Sequence, residues 1–126
     1  MKLQPDKSHT PLISAHGRGW VEVAGKRYEQ SLILCSGLDT EPTAWRPSHY
    51  DELTSQDFAV WPVEDPELII FGSGAILKFP QIQWTAHLFQ KRIGFETMDT
   101  AAACRTYNIL ASEGRNVVAA LLMEKP

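Results

Sequence analysis

The chain is poor in cysteine: Cys35 and Cys104 are its only two, and they lie far apart. Two such thiols make neither a disulfide framework nor zinc-ligand spacing. They fit a reducing compartment. Long apolar runs are also lacking, and the longest, Val117 to Met123, is too short to span a bilayer. Met1 to Thr10 holds no apolar stretch of signal-peptide length and is not Arg-rich like a transit peptide. Membrane insertion is therefore not expected, and a cytoplasmic location is. An excess of one charge is missing too: 12 Lys and Arg against 15 Asp and Glu leave a net charge of −3. That supplies no basic field for phosphate backbones, so nucleic acid is not an expected partner.

Recognisable catalytic and cofactor motifs are equally scarce. His9, His16, His49 and His87 are scattered, without the H-x-x-x-H or H-E-x-x-H spacing of a helix-borne metal site. No metal and no cofactor is expected. Gly72 and Gly74 match the first two glycines of a dinucleotide fingerprint, but Leu77 occupies the third place. Lys78 lacks the flanking residues of a Walker loop, and Gly-x-Ser-x-Gly does not occur.

What is present suits one soluble domain. At 126 residues, 44% hydrophobic and 21% charged, the chain can bury about two-thirds of its unfolded surface. Residues 1–10 show no apolar period and are expected to fray, leaving 11–126 as a single domain. Trp20 to Val23, Ala24-Gly25 and Arg27 to Glu29 read as a β-hairpin. Two short strands are expected to flank His16-Gly17-Arg18-Gly19. The second hairpin arm is expected to continue through Leu32 to Cys35, whose unbroken apolar character suits a strand covered on both faces. Residues 36–66 hold Pro42, Pro47 and Pro62, which argue against long elements. A short helix near Thr54 to Ala59 would dock Phe58.

From Glu67 the pattern sharpens. Leu68 to Phe71 is an apolar strand that stops at Gly72-Ser73-Gly74. Pro80 suits a first helical position, and Ile82, Ala86 and Phe89, with Leu88 beside them, mark the expected buried face of that helix. Lys91 and Arg92 suit its last turn, and Gly94 its stop. Phe95 to Met98 is a second strand. Asp99 or Thr100 caps a second helix that runs to about Glu113 and ends at Gly114. Val117 to Met123 is a third strand. The fold class is α/β: a central mixed sheet with a β-α-β-α-β C-terminal half, flanking helices and an N-terminal hairpin region.

Parallel strands would bring Gly72, Ser73 and Gly74 to the same sheet edge as Asp99 and Thr100. Ligands bind at such edges in open α/β sheets, and a helix N-terminus there favours an anion. Arg105 would add charge. Against this, the glycines can simply make a turn, Thr100 can simply cap, and Asp99 would repel an anion. Cys104, near the start of the second helix with Arg105 adjacent, is the one candidate nucleophile. The alternative is a small packing residue. Glu113 and Arg115 suit a local ion pair. Tyr107 and Asn108 are weak helix formers whose polar groups need partners if buried. They either close a polar network or face a ligand. The four tryptophans are mostly core residues, with an exposed one marking an interface.

Taken together, Pro66 to Gly74, Phe79-Pro80, Ile93 to Thr100, Ala103 to Leu110 and Glu113 to Val117 resemble the Mth-like domain family of unknown function. That family includes mitochondrial respiratory complex I assembly factor 3 and the adipogenesis-associated Mth domain protein. The resemblance covers about residues 12–123. It implies a single α/β domain and no established reaction, and the mitochondrial relative acts through protein contacts. The motif positions that transfer are Gly72, Gly74, Met98, Thr100, Tyr107, Asn108, Glu113 and Arg115. The leading expectation is a non-enzymatic protein-interaction or assembly-factor-like domain with a protein partner. Its surface would lie around the Gly-Ser-Gly loop and the start of the second helix. The alternatives are a small-molecule or anion-binding domain using the same edge, and an enzyme with Cys104 as nucleophile.

Overall fold

The computed structural model describes residues 11–38 and 41–125, so the expected fraying of residues 1–10 lies outside it. Two sheets and two helices form a mixed α/β domain. The first sheet is an antiparallel meander of β1 (Ile13–Gly17), β2 (Trp20–Val23) and β3 (Lys26–Tyr28). Ala24 and Gly25 turn β2 into β3 with φ of 52° and 81°, the pair of positive values that a two-residue hairpin turn requires.

The second arm does not continue into Leu32–Cys35. That stretch is β4, and it belongs to the other sheet. β3 ends at Tyr28, the chain bends at Gln30, and β4 begins at Leu32. The chain therefore breaks and changes sheets. The five-stranded sheet has the order β5-β4-β8-β6-β7, with β5 (Thr43–Ala44), β6 (Leu68–Gly72), β7 (Gly94–Met98) and β8 (Val117–Leu121). β6 is parallel to both β7 and β8, as strand–helix–strand alternation demands, and β4 is antiparallel to β8. Pairing of β8 ends at Leu121, two residues short of the expected Met123.

β8 sits inside the sheet with both faces covered. Val117, Ala119 and Leu121 point to one apolar layer, Val118 and Ala120 to the other. In the first layer α2 (Thr100–Ser112) lies between the two sheets. Ala103, Cys104, Tyr107 and Ala111 are its buried positions, and the small residues among them let the helix approach closely. The second layer is aromatic. Phe58, Phe71 and Trp45 pack under α1 (Ile82–Gln90) and under a 3-10 turn, Ser55–Phe58. The Thr54 N–H and hydroxyl both donate to Asp57 and fix the start of that turn.

Three local expectations need correction. α1 starts at Ile82 rather than Pro80, and Gln81 precedes it without a side-chain cap. Its buried face is also different: Thr85 and Leu88 are buried, Ala86 is exposed, and Ile82 and Phe89 are 80% and 61% exposed. The segment carries two apolar stripes. The one with Trp84 wins because Trp84 stacks on Phe58, with centroids 6.0 Å apart. The helix exit uses Arg92, with φ 61°, in place of a glycine stop, and Gly94 already belongs to β7. Finally, Arg115 pairs with Glu67 at 2.7 Å, not with Glu113. Glu67 reaches across because β6 and β8 start side by side. No helix among the described residues is long and apolar enough to cross a membrane.

Candidate functional site

The parallel pairing of β6 with β7 and β8 places Gly72, Met98 and Leu121 in register at one sheet edge. The loop after β6 and the start of α2 meet there. Thr100 N–H donates to Gly74 O at 2.8 Å, Gly74 N–H donates to Thr100 Oγ1 at 2.8 Å, and the Thr100 hydroxyl donates to Leu122 O at 2.9 Å. Thr100 is thus a three-way joint. The capping role falls to Asp99, whose carboxylate accepts from Ala102 N–H at 2.8 Å. Gly72 has to be small, since a Cβ there would lie 3.1 Å from Thr100 Cα. Gly74 has φ 104°, and a side chain there would also strike the Glu124 carboxylate. Ser73 is buried and serves its own loop: its hydroxyl donates to Ile76 O and accepts from Lys78 N–H.

A cavity of about 400 Å³ opens at this edge. Gly74, Asp99 and Thr100 line it, as expected from parallel topology. Gly72, Ser73, Arg105, Tyr107 and Asn108 do not. Arg105 is exposed on the outer side of α2. The Tyr107 hydroxyl donates to Pro11 O at 2.7 Å, and burial pushes this phenol up, so it remains a donor. Asn108 accepts from Ile13 N–H at 2.8 Å and donates to Ile13 O at 2.7 Å. Both side chains therefore fasten β1 to α2. In place of Arg105 the cavity receives His16 from the end of β1, Arg18 from the β1–β2 turn and Glu124 from beyond β8. The glycines on either side of Arg18 mark a turn in the sequence. That this turn reaches the edge of a different sheet depends on long-range packing.

Electrostatics narrow what the edge can do. Two of the free first-turn N–H groups of α2 are already used: Thr100 by Gly74 O and Ala102 by the Asp99 carboxylate. The helix end keeps little capacity for a free anion. Cys104 also lines the cavity, yet it is 0% exposed. Desolvation by burial drives its pKa up to about 12, outweighing the lowering by Arg105 and adding to the rise from Asp99. The expected activation of this thiol by the helix end is therefore reversed. Iodoacetamide at neutral pH should leave Cys104 unmodified in the folded chain and label it after denaturation. Alkylation at the rate of a free thiol without unfolding would contradict this.

A second feature starts in the same loop. Ile76, Leu77 and Phe79 are 66%, 48% and 65% exposed, and the outer stripe of α1 continues the apolar surface through Ile82 and Phe89. The Tyr50 hydroxyl donates to Phe79 O and anchors the loop from below. No carboxylate lies between residues 75 and 92, whereas Lys78, Lys91 and Arg92 do. Among the described residues, no group of three or more His, Cys, Asp or Glu side chains gathers to hold a metal ion.

Comparison with known proteins matches this architecture. The model of a family described as protein of unknown function (DUF498/DUF598) matches residues 13–122. Human NADH dehydrogenase [ubiquinone] 1 alpha subcomplex assembly factor 3 is 30% identical over 122 residues, 95% of this chain and 65% of the relative. The chain thus spans about half to just under two-thirds of the length of the assembly factors it matches. A crystal structure from Bordetella parapertussis superposes with a TM-score of 0.79 at 29% identity, covering 91% of this chain and 97% of its own. A Mth938-like domain from Bordetella pertussis, 24% identical, shares the fold with a TM-score of 0.74, covering 98% of this chain and 90% of its own. With the family model spanning nearly all of the described domain, the chain belongs to the DUF498/DUF598 family of proteins of unknown function.

Proposed function

We propose that this domain is a non-enzymatic protein-interaction module of the assembly-factor kind. One observation carries the proposal: the exposed apolar surface of Ile76, Leu77, Phe79, Ile82 and Phe89. Five such side chains lie within residues 76–89, and exposed apolar groups gathered in this way mark interaction sites. Water exposure of this much apolar surface is unfavourable, and a partner's apolar face relieves it. The basic border, Lys78, Lys91 and Arg92, selects a partner whose contact is edged by carboxylates. A second copy of the chain would bring these cations together, so a different protein is the better occupant. Relatives named as assembly factors support the same reading. The surface differs from the expected one: it starts in the loop after β6 but runs over α1, not over the start of α2. A reducing compartment suits the two free, buried cysteines.

The test is a paired substitution, Ile82→Glu with Phe89→Glu. Both residues are exposed, so melting should shift little. Affinity purification at native expression level, with mass spectrometry, should yield a stoichiometric protein with the parent chain. The paired variant should lose it at least tenfold. The captured protein, purified and rebound, should bind more weakly as salt rises. Undiminished capture by the variant, or no stoichiometric protein with the parent chain, overturns the proposal.

A further inference from the structure

The cavity at the strand ends holds ionisable groups of both signs that do not meet. His16 reaches it from the end of β1, Arg18 from the β1–β2 turn, Asp99 from the cap of α2, and Glu124 from beyond β8. Among the described residues, no ion pair joins either cation to either carboxylate. The carboxylates are held in place. Tyr50 N–H donates to Glu124 Oε2 at 3.0 Å, and Ala102 N–H donates to Asp99 Oδ1 at 2.8 Å. Within the described residues, each carboxylate keeps its second oxygen without a hydrogen-bond partner. The remaining lining is small or apolar, with Gly17, Gly19, Ala75 and Ala101 leaving space and adding little polarity. Thr100 bolts the edge together through its three hydrogen bonds, so the shape exists without a ligand.

A free anion would face Asp99 and Glu124, at a helix end whose N–H groups are mostly spent. A simple cation would face Arg18. A molecule carrying both charges satisfies both sets of groups. At about 400 Å³ the cavity is at the small end of ligand sites, roughly 300–1,000 Å³. We propose that the cleft binds a small aliphatic zwitterion, an α-amino acid or dipeptide. Its carboxylate lies toward Arg18 and His16 and its ammonium toward Asp99 and Glu124. This site is separate from the apolar surface of α1, and neither proposal depends on the other.

The experiment is an amide NMR titration of the labelled chain with L-leucine, glycyl-L-leucine, leucinamide and 4-methylpentanoate. Leucinamide keeps only the positive charge and 4-methylpentanoate only the negative. Saturable shifts at Gly17, Gly19, Gly74 and Ala101 are expected with L-leucine or glycyl-L-leucine. Either single-charge compound should bind at least tenfold more weakly. Arg18→Gln and Glu124→Gln should each weaken binding at least tenfold. Glutamine at 124 keeps an acceptor for Tyr50 N–H, so folding should be unchanged, as a melt would verify. No saturable shift with either zwitterion overturns the proposal. So does 4-methylpentanoate binding as tightly as L-leucine, or full affinity in both variants.

Discussion

Phe58→Ala is expected to lower the unfolding free energy by about 4 kcal/mol. Phe58 is 0% exposed and is the hub of the aromatic layer. Its ring centroid lies 5.5 Å from Phe71, 6.0 Å from Trp45 and Trp84, 6.1 Å from Phe95 and 6.2 Å from Trp61. Alanine would leave a cavity that five rigid rings cannot close by small rotations, so the cavity cost adds to the lost transfer free energy. Native domains hold only about 5–15 kcal/mol in reserve, so this one change takes a large share. Urea titrations of the two proteins, with equal slopes, would give the difference. A loss below about 2 kcal/mol would mean the layer repacks, contrary to the picture of a fixed hub.

Asn108→Ala should cost about 2–3 kcal/mol, with the loss concentrated in the three-stranded sheet. The amide side chain satisfies both Ile13 N–H and Ile13 O. Alanine removes both of these part-buried bonds at once. Tyr107 would still hold Pro11 O, so β1 should loosen rather than leave. Hydrogen exchange read residue by residue should show faster opening of Val21 and Val23 while Ile70 and Ala119 stay protected. Equal acceleration in both sheets would show that Asn108 supports the whole domain. No acceleration anywhere would remove its clamping role.

The difference between what could and could not be read from the sequence has a physical cause. β6, β7, β8 and α2 carry their own signals: apolar runs, terminating glycines and an Asp99-Thr100 start. Parallel pairing then follows from chirality, and with it the meeting of Gly74 and Thr100. α1 is harder because Ile82, Ala86 and Phe89 form as good a stripe as Trp84, Thr85 and Leu88. Only the aromatic layer below decides between them, and that layer comes from Phe58 and Phe95, outside the helix. The cavity lining is half legible for the same reason. Gly74, Asp99 and Thr100 are local to the strand ends, whereas His16, Arg18 and Glu124 arrive from a different sheet and a distant segment. Arg105 follows Cys104 in sequence, but a helix turns by about 100° per residue. The step from Cys104, buried, to Arg105, exposed, crosses from one face to the other.

The position of β8 sets the order in which the domain can be completed. It lies between β4 and β6, yet it is made after both. Ser36 and Val117, which share a hydrogen bond, are 81 residues apart. At ribosomal rates of about 5–20 residues per second, β4 waits roughly 4–16 s for its neighbour. Once β6 has also been made, two apolar strand edges wait for the same partner, each able to pair with the wrong chain. The interior strand thus acts as a keystone, and a nascent chain stalled before residue 117 is the form most in need of a chaperone.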